Sequence, residues 1–427
     1  MIVAVTLCLL IFLLLVGVPI GFSMALAGAI GLYWIGGYQI LYGITLSTSS
    51  SGMQSYELIT VPMFILMAEF MVISGIAAAI FRTAATWVGR VPGGLAIATA
   101  LAGAGLGALS GSSTASAATL SATSIPAMLE KGYDPKLATG VVAISGTLAM
   151  LIPPSIALVL FGIIADVNIG QLLIGGVVPG LLVTIAIIAT VMTLIALNPK
   201  LAPRGEAYSM WQKFAVLRET GPALALLFVV TGSIYLGFAT PTEASSLGAL
   251  GALVICLLMR RLSWGTLMAA LARTAAITCM IFLMILGAKI FGYFIALSRM
   301  THNLLQFIGG LDVPGIYILG LILMIYFLLG FFMDQIAILV LTVPVTLPVV
   351  TSLGYDPVWF GVVIIVIAEL GLVTPPFGLN VFVVSKYTGR PAGEIFAGVA
   401  PHLAAHIVVV ILLVAFPMLV LWLPNNM

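Results

Sequence analysis

Residues 125–162, IPAMLEKGYDPKLATGVVAISGTLAMLIPPSIALVLFG, align without a gap on residues 347–384, LPVVTSLGYDPVWFGVVIIVIAELGLVTPPFGLNVFVV. The offset is a constant 222 residues. Pro126, Gly132, Tyr133, Asp134, Pro135, Pro153 and Pro154 fall on Pro348, Gly354, Tyr355, Asp356, Pro357, Pro375 and Pro376, and the same register carries Pro179 onto Pro401. Chance does not repeat a GYDP and a PP at one spacing, so the chain is a duplication of two halves.

The setting of the two halves follows from composition. A chain that is 62% hydrophobic and 7% charged, with a mean hydropathy of +1.29, lacks the polar residues to cover a soluble protein of 44.6 kDa. The runs 2–20, 172–197, 222–238, 243–259 and 401–423 each approach or exceed the roughly 20 apolar residues that carry a helix through hydrocarbon. None alternates with the period of two that a barrel requires. The fold expected is an all-α polytopic membrane protein. The 15 Lys and Arg are scattered, giving a net charge of +2 and no basic patch for nucleic acid. Cys8, Cys256 and Cys279 sit apart, each in or beside an apolar run, which suggests packing rather than a disulfide or metal framework. The first segment has no basic leader and no small-residue cleavage pattern, and reads as a retained span.

Loop charge gives each half its direction. Lys131 and Lys136 flank the first GYDP, and the loop one span later, 165–170, carries no base; in the second half the base-free turn is at Asp356, and Lys386 and Arg390 lie one span on. By the positive-inside rule the two turns face opposite sides of the membrane, so the repeats are inverted. The polar stretch 198–221, with Lys200, Arg204, Lys213 and Arg218, is then a cytoplasmic linker, and its amphipathic part 206–218 suggests a helix lying in the interface.

Irregular backbone within a bilayer needs protein or a water-filled cavity to satisfy it, and four places qualify. Two are the proline pairs inside spanning runs, where Ile152 and Thr374 precede a residue that lacks an N–H and disfavours a helical neighbour. The others are 110–126, SGSSTASAATLSATSIP, with nine hydroxyls in seventeen positions, and its partner 330–348, in which Ser112 and Ser113 are matched by Asp334 and Gln335. These read as re-entrant hairpins whose tips meet the broken helices. Hydroxyls beside unwound carbonyls supply the oxygen ligands a hard cation such as Na⁺ prefers. Asp334 adds a charge whose cost at a helix centre is about 2.5–3.5 kcal/mol unless it is coordinated. Ser, Thr and Gly also let membrane helices pack closely, a reading that competes at the hydroxyl run. Asp134 and Asp356 read as caps for helices that begin with Pro135 and Pro357. Glu69, Lys289 and Glu369 lie within apolar runs without a partner the sequence can name. His302, His402 and His406 show no metal-binding spacing, and no Walker A loop is present.

The motifs VGVPIGFSMALAGAIGL (16–32), PMFILMAEFMVISGI (62–76), GALSGSSTASAATLSA (107–122), the two GYDP turns and TPPFGLN (374–380) resemble the large membrane subunit of the tripartite ATP-independent periplasmic (TRAP) transporters, over essentially the whole chain. That resemblance implies an elevator protein of the ion-transporter superfamily in the bacterial inner membrane, with a scaffold and a mobile transport domain. It places one Na⁺ around Ser112, Ser113, Gly146 and Ile152 to Pro153, and a second around Asp334, Gly371 and Thr374 to Pro375. Substrate would sit between them, with Ser110, Ser155, Asn380 and Arg299 as candidate contacts. No cofactor is implied beyond the coupling ions. The substrates of such transporters are carboxylates; the likeness leans to the sialic acid branch, with C4-dicarboxylates as the alternative. The partners implied are a periplasmic substrate-binding protein and a four-helix small membrane subunit. No span precedes Met1 to act as a fused small subunit, so that partner is expected as another polypeptide.

The division expected is scaffold spans in 1–60; a first repeat in 61–197 with hairpin 106–130 and broken helix 137–165; the linker 198–221; scaffold spans in 222–265; and a second repeat in 266–427 with hairpin 328–352 and broken helix 358–386. A channel would share the hydroxyl lining but not the paired broken helices. An intramembrane hydrolase would need a base near the serines, and the three histidines lie far from them in sequence. Neither is an enzyme-like or pore-like arrangement that the repeats favour.

Overall fold

A computed structural model describes residues 2–52, 54–203, 205–310 and 313–427, and among them every regular element is helical. The first half runs α1 (Ile2–Leu15), α2 (Ile20–Gly52), α3 (Thr60–Ser74), α4 (Ile76–Val88), α5 (Gly94–Ser110), α6 (Ser113–Glu130), α7 (Pro135–Gly146), α8 (Ile156–Ala165), α9 (Ile169–Gly175) and α10 (Val177–Leu197). The second runs α11 (Met210–Tyr235), α12 (Pro241–Leu258), α13 (Trp264–Leu297), α14 (Met300–Gly309), α15 (Gly315–Leu329), α16 (Gln335–Ser352), α17 (Pro357–Gly371), α18 (Leu379–Thr388), α19 (Ala392–Ala415) and α20 (Met418–Leu421). Among the described residues, eight helical stretches are long and apolar enough to cross a membrane.

The offset of 222 read from the two GYDP segments extends to the helices around them. It carries α5 and α6 onto α15 and α16, α7 and α8 onto α17 and α18, and the short amphipathic α4 onto the short amphipathic α14. The helices form two groups. In one, α2 packs along α13 and α3 along α12, so that each half lends a helix to the other. In the other, α7 packs on α19 and both hairpins surround the broken helices. Close approach there depends on missing side chains: a Cβ on Gly140 would fall 2.3 Å from the carbonyl carbon of Gly398, so α7 and α19 touch backbone to backbone.

Asp134 and Asp356 cap α7 and α17. Asp134 accepts from the Lys136 and Leu137 amides at 2.9 and 3.2 Å, and Asp356 from those of Val358 and Trp359 at 2.8 and 3.0 Å, each with proline at the first helical position.

Two sequence expectations are corrected here. The hairpins begin earlier than 106 and 328: their first arms are the complete helices α5 and α15, so the hairpins span 94–130 and 315–352. Gly93, at φ +74°, starts the first of them in a left-handed turn that the apolar run conceals. The amphipathic residues 206–218 do not form a separate helix: 206–209 lie outside any helix and 210–218 open a longer one. A capping box at Ser209, in which Ser209 and Gln212 exchange side-chain-to-backbone hydrogen bonds, starts one helix that continues unbroken to Tyr235. The extended part of the linker lies against the first repeat. The Asp134 amide donates to the Leu201 carbonyl at 2.9 Å, and Lys131 pairs with Glu206 in a hydrogen bond that holds the Glu206 carboxyl below the ordinary range.

Candidate functional site

Each repeat offers a hairpin tip and a helix break. The first tip turns at Gly111, whose φ of +57° closes α5, and Ser112 then caps α6 by accepting from the Ala115 amide at 3.4 Å. Ser110 and Ser116 share a hydrogen bond of 2.7 Å across that turn. The second tip spans Gly330–Asp334, and Asp334 caps α16 through the Ala337 amide at 3.3 Å. The helix breaks lie between α7 and α8, around Pro153–Pro154, and between α17 and α18, around Pro375–Pro376. In the first, Ser155 donates to the Met150 carbonyl at 2.5 Å and accepts from the Leu158 amide at 3.3 Å, so its hydroxyl is occupied as the cap of α8. In the second, Thr374 donates to the Leu370 carbonyl at 2.7 Å.

Tip and break of the same repeat are in contact. A Cβ on Gly146 would lie 3.0 Å from the Ser113 carbonyl oxygen, and one on Gly371 would lie 2.7 Å from Gly330 Cα. Ile152 faces the other way, toward Gly180 of α10. The repeats also cross, because α6 packs on α18 and α8 on α16. Both tips therefore open on one cavity of about 310 Å³. Ser110, Ser112, Ser113, Asp334 and Gln335 line it from the tips, and Glu69 of α3 and Ile277 and Met280 of α13 from the opposite wall. Asp334 is exposed to this cavity rather than enclosed, and forms no ion pair among the described residues.

The proposed substrate contacts separate. Ser110 lines the cavity; Ser155, Asn380 and Arg299 are not among the lining residues. Arg299 is exposed at the left-handed corner between α13 and α14, with φ +55°. Asn380 instead donates from Nδ2 to the Ser113 hydroxyl at 2.8 Å, which in turn donates to Glu369 Oε2 at 2.8 Å. Glu369 has no exposed surface, and its other oxygen, like Asn380 Oδ1 and both ends of the Gln335 amide, has no hydrogen-bond partner among the described residues.

Sequence reasoning left Glu369 without a role and passed over Gln335. The signal for the first was visible as a single acid in IIVIAELG, but its partner lies 256 residues away. Glu69 is held by Arg273 of α13 at 2.8 Å. Lys289 is half-buried and forms no ion pair among the described residues. His402 and His406 share the buried face of α19, and no three metal-binding side chains cluster among the described residues.

Fold and site together define a polytopic membrane permease in which two hairpin-and-broken-helix units meet at one cavity. Residues 7–419 match the family described as Tripartite ATP-independent periplasmic transporter, DctM component, and the chain belongs to that family. It is accordingly a multi-pass inner-membrane protein, the large permease of a TRAP transporter rather than an enzyme, and it works with a small permease and a substrate-binding protein. Among its relatives, the C4-dicarboxylate TRAP transporter large permease protein DctM of Pseudomonas aeruginosa is 33% identical, over 87% of either chain. The sialic acid TRAP transporter large permease protein SiaM of Vibrio cholerae is 30% identical, over 97% of this chain and 96% of that one. In fold the chain is similar to the Alcanivorax borkumensis YdaH transporter, with a TM-score of 0.63 at 14% identity, over 91% of this chain and 89% of that one.

Proposed function

We propose that this permease couples the inward movement of Na⁺ to uptake of a small carboxylate by an elevator motion of the hairpin group against the α2, α3, α12 and α13 group. The observation that carries the reading is the convergence of both tips, each beside its own helix break, on a single cavity walled on its far side by α3 and α13. One Na⁺ is assigned to Ser112, Ser113, Gly146 and the carbonyls at Ile152 and Pro153, the other to Asp334, Gly371 and the carbonyls at Thr374 and Pro375. Among the described residues the cavity lining holds no Lys, Arg or His. An anionic substrate there is stabilised by the N-termini of α6 and α16 and by the bound cations. A cavity of about 310 Å³ is at the small end of the roughly 300–1,000 Å³ usual for ligand sites, which suits a compact metabolite.

The substrate is a carboxylate, with sialic acid or a related sugar acid and C4-dicarboxylates as the candidates; the relatives carry the names of C4-dicarboxylate, sialic acid, ectoine and isethionate transporters, and no lining residue selects one. A small membrane subunit accompanies the permease, and a periplasmic binding protein delivers the substrate. The test is uptake into proteoliposomes holding this permease and its small subunit, with the binding protein outside, an imposed Na⁺ gradient and a panel of sugar acids and dicarboxylates. Uptake of one carboxylate that collapses when K⁺ replaces Na⁺ is the expected result. Equal uptake without Na⁺ overturns the coupling, and uptake without the binding protein overturns the delivery step.

A further inference from the structure

The two tips differ in charge, and the difference has a structural remedy. Under the repeat offset Asp334 falls on Ser112, so the second tip carries a carboxylate and the first carries only hydroxyls. The first tip nevertheless touches one. Glu369, from the second repeat, accepts the Ser113 hydroxyl proton at 2.8 Å, and Asn380 donates to the same oxygen at 2.8 Å. No reciprocal contact is available, because the counterparts of Glu369 and Asn380 in the first repeat are Thr147 and Leu158.

A serine hydroxyl has one proton and two lone pairs. Ser113 directs its proton at Glu369, Asn380 occupies one lone pair, and the second lone pair is left with a fixed direction. Ser113 belongs to the tip that contacts Gly146 at the first helix break. Glu369 itself is fully enclosed, and among the described residues it has no Lys, Arg or His partner and one oxygen without any. An enclosed carboxyl of this kind either carries a proton or requires a compensating charge nearby.

We infer that Glu369 is the counter-charge of the first cation site and the residue that positions Ser113 to bind the ion, so that each of the two sites is matched by one carboxylate. The inference rests on the Na⁺ coupling proposed above. One carboxylate, Asp334, belongs to its own tip; the other is supplied across the repeat boundary, which ties the first hairpin to the second broken helix.

The experiment is Na⁺ binding to the purified permease in nanodiscs by titration calorimetry, without substrate, set beside Na⁺-dependent uptake. Wild type is expected to bind Na⁺ with a Hill coefficient above one. Glu369→Gln should weaken binding by about tenfold or more, as expected for a lost charge-assisted contact, and bring the Hill coefficient toward one. Adding Ser112→Asp, which places a carboxylate where the second tip has its own, should recover binding; a structural role for Glu369 would give no such recovery, and its absence overturns the counter-charge. Should Glu369→Gln not fold, Ser113→Ala cuts the same contact and should weaken binding several-fold. Unchanged Na⁺ binding in either single variant overturns the inference, as it would if Glu369 carried a proton instead. Absence of Na⁺ binding by wild type overturns the coupling itself.

Discussion

The Na⁺ role proposed for Asp334 is separable from its capping of α16, and two substitutions tell the two apart. Its carboxylate caps α16 through the Ala337 amide at 3.3 Å while facing the central cavity. Asparagine caps about as well as aspartate, so Asp334→Asn should cost no more than a few tenths of a kcal/mol in stability, whereas Asp334→Ala should cost about 0.5–2 kcal/mol. Both remove the charge. A contact to a charged group is worth roughly 1.5–3 kcal/mol, so both should raise the half-saturating Na⁺ concentration by about 10- to 150-fold. Stability is read from thermal unfolding of the purified permease in detergent, and Na⁺ dependence from initial uptake rates in proteoliposomes at matched protein content. The expected pattern is equal loss of Na⁺ affinity with unequal loss of stability. Asp334→Asn with wild-type Na⁺ dependence would refute the assignment, and the carboxylate would then be a cap alone.

The two GYDP turns are expected on opposite sides of the membrane: single cysteines beside Lys131 and beside Asp356, in a background lacking Cys8, Cys256 and Cys279, should react with an impermeant thiol reagent from opposite faces, and labelling from one face refutes the inversion. Asp356→Ala leaves the Val358 and Trp359 amides without their cap and should lower stability by about 0.5–2 kcal/mol, read by thermal unfolding, with Na⁺ dependence unaltered. Lys213→Ala and Arg218→Ala, at the start of α11, should alter stability or assembly and not the Na⁺ Hill coefficient. Lys213 lies over the Trp87 ring at 5.9 Å, a contact worth about 0.5–1 kcal/mol at an exposed site.

Periodic and repeated features of this fold were legible in the sequence; long-range polar contacts were not. The membrane class, both helix breaks and the two aspartate caps follow from runs and spacings that lie within about 40 residues of chain, and the duplication from matching two such stretches at an offset of 222. The first arms of the hairpins were missed because α5 and α15 are apolar enough to pass for parts of ordinary spans, and only the left-handed turn at Gly93 separates the first from what precedes it. The interfacial helix read over 206–218 is instead the start of the long helix Met210–Tyr235, because amphipathic patterning describes a face, not where a helix begins or ends. At the site, hydroxyls and Asp334 were marked by being polar where leucine is usual. Glu369 was equally visible, yet its role depends on Ser113 and Asn380, and nothing local relates those three positions. Asn380 was read as a substrate contact for the same reason: its type indicates hydrogen bonding, while its partner is decided by the crossing of α6 over α18.

That crossing bears on the order in which the chain is made. Ser113 emerges from the ribosome 256 residues before Glu369 and 267 before Asn380. At about 5–20 residues per second the first hairpin waits roughly 13 to 50 seconds for the groups that bind its tip. From Gly94 to Leu129 it contains no ionisable side chain, so it can remain in the lipid phase over that interval without an unmatched charge. The second hairpin carries Asp334 and is translated when the first is already in place to receive it. The unequal distribution of acids between the two halves thus agrees with the direction of synthesis, and exchanging the tips, with the aspartate placed early and the hydroxyls late, should hinder biogenesis even where the finished protein would bind the same ions.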